Sequence, residues 1–184
     1  MTSREEADRE SQEMEIYETL FVRNGFEKSL EIFKVLPVDR QEIMGVSVYR
    51  YEVNSSLVFL IYDLNLENPF SPQLFDHLQP HLNGLVLVAP EEVDEVEFSG
   101  KSWLAGLLEA RTAIPTVLAL QMADTAFASL DESIRERGLY LGPAARLVYW
   151  NPEHPASMKN IWETLWMRIE PVRSEEASRD EGKG

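Results

Sequence analysis

Residues Tyr17–Lys34 read YETLFVRNGFEKSLEIFK, an apolar run followed by a polar loop and an amphipathic segment. Leu20, Phe21 and Val22 make the run, and Arg23-Asn24-Gly25-Phe26-Glu27-Lys28-Ser29 make the loop. Leu30, Phe33 and Leu36 then mark one apolar face. The unit is therefore strand, loop and helix, with a Lys-Ser pair where the helix opens.

A phosphate-binding loop has this layout and reads G-x-x-x-x-G-K-[ST], wrapping backbone N–H groups around phosphate oxygens. Lys28 and Ser29 match its last two positions, but Val22 and Glu27 stand where its glycines belong. A glycine at the second position lets the backbone approach phosphate closely, whereas Glu27 adds bulk and negative charge. Each pair of like unit charges at roughly 5 Å and an effective dielectric of about 20 costs about 3 kcal/mol. The sequence thus predicts that Glu27 projects into the place of a phosphate. The plain alternative is that Lys28 and Ser29 form the exposed first turn of a helix.

The chain has 184 residues, a length that suits one domain, and its 44% hydrophobic and 27% charged composition is ordinary for a globular protein. It has no cysteine, which excludes disulfides and thiolate metal sites. No apolar run approaches the roughly 18 residues of a membrane span, and the N-terminus is polar and acidic, so a cytoplasmic location is expected. The net charge of -15 argues against nucleic acid or an anionic membrane as partner. Residues 1–15 carry six acids and two bases and read as a flexible arm. Residues 171–184 carry four acids and three bases and read as a flexible tail, so most of the acidity belongs to the domain between, 16–170.

Beyond the first unit, strands and helices alternate. Pro37–Glu42 reads as a loop, and Gly45–Val53 and Leu57–Tyr62 read as strands of an antiparallel hairpin turned by Asn54-Ser55-Ser56. Ser71-Pro72 opens a helix with Leu74, Phe75 and Leu78 on its face, closed by Pro80. Gly84–Ala89, Pro115–Leu120 and Leu147–Trp150 read as further strands. Helices are predicted around Trp103–Leu108, Phe127–Ile134 and Met158–Ile169, the last ended by Pro171. The expected fold is α/β: six strands, mostly parallel with one antiparallel hairpin, and helices on both faces.

That order, with its hairpin after the first helix, resembles the Ras-like small GTPase domain over about residues 16–170, and bacterial gliding-motility GTPases among its members. The resemblance implies a nucleotide site made of remnants. Lys28 and Ser29 take the phosphate-loop positions, Asp63 the magnesium-holding aspartate, and Gln121 and Asp124 the guanine-reading positions. The departures fall in every motif. Leu66 replaces the γ-phosphate-sensing glycine, Glu67 the water-orienting glutamine, and Met122 the lysine along the base. Trp150-Asn151-Pro152-Glu153 shows no base-binding pattern, and no threonine for magnesium occurs between Leu30 and Leu57.

Two functions follow as expectations. One is a pseudo-GTPase, an interaction protein with no catalytic residue, no metal and no cofactor. Its partner is another protein, and the resemblance implies a roadblock-domain protein. The alternative is a divergent small GTPase that binds GTP or GDP with magnesium and hydrolyses slowly or only with a partner, with Arg23 or Arg40 reaching the γ-phosphate. Asp63 and Asp124 also fit ordinary turn and cap roles past strand ends. His77 and His81 are spaced i, i+4, but Pro80 interrupts their helix, and His154 sits between prolines. Trp162 and Trp166 share one stripe of the last helix; packed they belong to the core, and exposed together they would form a partner-binding patch.

Overall fold

In the computed structural model, which describes residues 14–23, 27–43, 45–67, 77–89, 114–122 and 144–181, seven strands form one mixed sheet. They are β1 (Glu15–Arg23), β2 (Asp39–Ile43), β3 (Val46–Asn54), β4 (Leu57–Asn65), β5 (Leu82–Ala89), β6 (Thr116–Gln121) and β7 (Ala145–Trp150). Their order across the sheet is β2-β3-β4-β1-β5-β6-β7. The β2/β3 and β3/β4 pairs are antiparallel, and β1 runs parallel to both β4 and β5, as β6 does to β5 and β7.

Two parts of the expected architecture are corrected. The sheet has seven strands, not six, because Asp39–Ile43 within and beyond the expected loop forms the edge strand β2. All five of its residues are exposed, so it carries no apolar alternation by which a strand is read. A two-residue connection joins Ile43 to Val46, and Gly45 at φ 79° supplies the left-handed conformation such a turn needs. The helices, moreover, are few among the described residues: the 3₁₀ segment after β1 and the long last helix pack on one face, and only a short helical stretch at 77–81, with Leu78 buried, reaches the other core. The helices predicted around Trp103–Leu108 and Phe127–Ile134 lie outside those residues, as does most of the helix opened by Ser71-Pro72; its end is helical at 77–81, and Pro80 lies inside the 3₁₀ turn Gln79–His81 rather than closing the helix before it.

The segment Glu27–Val35 is a 3₁₀ helix rather than an α-helix. With three residues per turn, side chains at i and i+3 eclipse, so Ser29 aligns with Ile32 and is carried into the core beside it. The last helix, α1 (Pro155–Glu181), does not end at Pro171 but runs 27 residues. Proline removes one backbone donor and tends to kink rather than always stop a helix, and Glu, Arg and Ala follow it. Among the described residues no helix is long and apolar enough to cross a membrane.

One face of the sheet packs the 3₁₀ segment and α1. Its core gathers Phe21, Phe33, Tyr49, Trp150, Ile161, Trp162 and Leu165 around the central strands. The Trp162 ring stacks near Phe21 and lies tilted against Phe33, and its Nε1–H donates to the Ile32 carbonyl at 3.1 Å, tying α1 to the 3₁₀ segment. Gly84 leaves room for α1: a Cβ there would meet Leu165 and Ile169 side chains at 3.1 Å. The opposite face holds a second core, with Leu20, Val22, Leu64, Leu85, Leu118 and Met122.

Candidate functional site

The topology selects a place before any motif does. Strand β1 lies between β4 and β5: the chain leaves β1 for the edge at β2 and returns through β3 to β4 on one side, then runs outward on the other side through β5, β6 and β7. In open α/β sheets ligands bind beyond the carboxyl ends of the strands at such a reversal. Here those ends are Arg23 of β1 and Asn65 of β4, adjacent in register, with Gln121 of β6 further along the same edge.

Arg23 and Asp63 meet at this corner. Phe21 pairs with Asp63 and Arg23 with Asn65, which places both side chains on the helix-bearing face one step apart. Arg23 Nε donates to Asp63 Oδ1 at 2.8 Å and Arg23 Nη2 to Asp63 Oδ2 at 3.1 Å, a bidentate pair between two buried side chains. Arg23 Nη1 also donates to Glu27 Oε1 at 3.2 Å. Burial is the largest influence on the Arg23 guanidinium and works against its charge, but the hydrogen bonds and charges of Asp63 and Glu27 outweigh it and hold its pKa above the ordinary arginine value. Burial, then the Asp63 charge, raises the nearby Tyr49 hydroxyl. The Tyr49 ring stacks on Phe33 with centroids 3.8 Å apart, walling the corner on its β3 side.

The backbone closes the same corner. Leu66 N–H donates to the Arg23 carbonyl at 2.8 Å, and the Asn65 side chain accepts from Glu67 N–H at 3.1 Å in an Asx turn. Leu66 and Met122 are both buried apolar side chains. Met122 N–H donates to the Trp150 carbonyl at 3.0 Å, joining the ends of β6 and β7.

Of the expected site residues, the structure brings Asp63 to the corner but commits its carboxylate to Arg23. Lys28 is exposed, and Ser29 is wholly buried against the core. Gln121 is half-buried on β6, with β5 between it and β1, and Asp124 lies outside the described residues. The Glu27 side chain is 75% exposed and turned to Arg23; residues 24–26 of its loop lie outside the described residues. Arg40 lies on the edge strand, where it donates to Ser47 Oγ at 2.8 Å. His77 and His81 are exposed. The 151–154 loop is an Asx turn, in which Asn151 accepts from Glu153 N–H at 2.9 Å, and His154 lies in it. Trp162 and Trp166 are not exposed together, since Trp162 is wholly buried and Trp166 is half-buried against Tyr51 and Phe59.

A magnesium–nucleotide group does not fit this corner as built. Both Asp63 oxygens already accept from the Arg23 fork, and a divalent ion roughly 4 Å from the Arg23 guanidinium would meet about 8 kcal/mol of repulsion at an effective dielectric of about 20. The residue that sequence reasoning placed in the wrong role is Arg23. The signal was present: Arg23 and Asp63 are each the charged residue that interrupts an apolar run, and the runs are neighbouring parallel strands. No protein-family model matches this chain, and no curated protein matches it.

Proposed function

We propose that this chain is an interaction protein built on a small-GTPase-like scaffold that works without nucleotide, its nucleotide corner closed by its own ion pair. The observation that carries the reading is the buried bidentate contact of Arg23 with Asp63. An arginine fork on a carboxylate leaves that carboxylate poorly placed to hold a metal ion. The buried Leu66 and Met122 side chains support the same reading, because they stand where the resemblance calls for a glycine and a lysine facing nucleotide. The partner in this reading is a protein, for which the resemblance implies a roadblock-domain protein.

Titration of the full chain with GTP and magnesium tests it. No saturable binding is expected at tens of micromolar, for the natural chain or for Glu27→Gly, because the Arg23–Asp63 pair that closes the corner stays in place in both. Tight, magnesium-dependent binding by the natural chain would overturn the proposal in favour of a divergent GTPase.

A further inference from the structure

We propose that β2 is a homotypic docking edge, on which a second copy of this chain adds its own β2 in antiparallel register with Gln41 on the two-fold axis. Among the described residues β2 ends the sheet, pairs with β3 on one side, and has all five residues exposed. An edge strand presents unpaired N–H and C=O groups as a template for another strand. Proline and β-bulges, two devices that block an edge, are missing from it, and its charges, Asp39, Arg40 and Glu42, are what a partner strand must match. Pro37 precedes the strand rather than interrupting it, and the β2/β3 ladder runs without the register shifts seen in β1/β5 and β3/β4. The two-residue turn at Gly45 holds the strand to β3.

The charges choose the occupant. Arg40 and Glu42 lie opposite Tyr49 and Ser47, so both side chains stand on the helix-bearing face of β2. A two-fold axis that pairs two antiparallel strands keeps each face on its own side, and one residue must then sit on the axis. With Gln41 there, Arg40 of each copy faces Glu42 of the other, and two opposite-charge pairs form. Placing Arg40 or Glu42 on the axis instead sets like charges directly opposite, which is destabilising. Of these three registers only the one centred on Gln41 pairs opposite charges.

A five-residue strand pair lies at the small end of interface size, so a dissociation constant on the order of tens of micromolar is expected. Sedimentation of the full chain at physiological salt measures it, where charge repulsion between acidic copies is screened beyond about 8 Å. Arg40→Glu and Glu42→Arg should each weaken self-association by about tenfold or more, because each creates like-charge pairs. An equimolar mixture of the two variants should restore dimers, since each then meets its complement. The double variant R40E/E42R should dimerise with itself and not with the natural chain. If a single variant fails to fold by circular dichroism, the double variant's self-association decides. A natural chain that stays monomeric at several hundred micromolar, single variants that dimerise as it does, or a mixture no better than its components would each overturn the proposal.

Discussion

Replacing Asp63 with alanine strands a guanidinium. Arg23 is only 6% exposed, and the substitution removes the acceptors of its 2.8 and 3.1 Å hydrogen bonds. Removing one partner of a buried ion pair costs about 3–5 kcal/mol, because the other charge is left uncompensated. Glu27 remains 3.2 Å from Arg23, but its side chain is 75% exposed, and such solvent-screened pairs contribute under about 1 kcal/mol. The expected loss for Asp63→Ala is therefore about 3 kcal/mol. Replacing both partners by apolar residues, as in R23M/D63L, should leave stability within about 1 kcal/mol of the natural chain, since neither charge is then buried alone. Urea unfolding followed by circular dichroism reads both, provided the dependence on denaturant keeps its slope. A loss below about 1 kcal/mol for Asp63→Ala would show that the pair is open to water and that the corner is not closed.

Three further outcomes follow from the packing. Gly84→Val should lower stability by about 2 kcal/mol in thermal unfolding, because the added methyls meet Leu165 and Ile169 where a Cβ alone already comes within 3.1 Å. Trp162→Phe should cost about 2 kcal/mol in urea unfolding, through the hydrogen bond lost at the Ile32 carbonyl and the space left beside Phe33. Tyr62 is buried beside Glu18, and burial, then the Glu18 charge and hydrogen bond, push its hydroxyl up to about 12. The folded chain therefore holds this proton more tightly than the unfolded chain. That contribution is fully present below about pH 10 and is lost as pH rises to about 12, amounting to about 3 kcal/mol at most. Tyr62→Phe should flatten the decline of stability across that window, and an unchanged slope would count against the assignment.

Much of the sheet was legible because its strands are buried. LVFLIY and TVLAL are runs of apolar side chains that only a doubly covered strand would carry. β2 was not, because DRQEI is exposed throughout and its strand character comes from pairing with β3 and the turn at Gly45. The 3₁₀ segment was half legible. Leu30, Phe33 and Leu36 recur every three residues, which is the 3₁₀ repeat, and a spacing of three and four would have marked an α-helix. That difference of period turns Ser29 inward and takes it out of any phosphate loop. The site was the least legible part. Asp63 read as a remnant magnesium ligand or a turn residue past a strand end, but it lies within β4, and its bidentate contact with Arg23 depends on β1 and β4 being parallel neighbours, which no local pattern records. Trp162 shows the reverse: helical spacing suggested core or patch, and the hydrogen bond to Ile32 makes it core.

The central claim, a corner closed by its own ion pair, is tested most directly by the melting midpoint of the full chain with GTP and magnesium in millimolar excess. A ligand present at a hundredfold its dissociation constant adds about 2.7 kcal/mol to stability, which for a domain of this size raises the midpoint by roughly 5–10 °C. An unchanged midpoint is expected. A rise of several degrees that requires both GTP and magnesium would contradict the account.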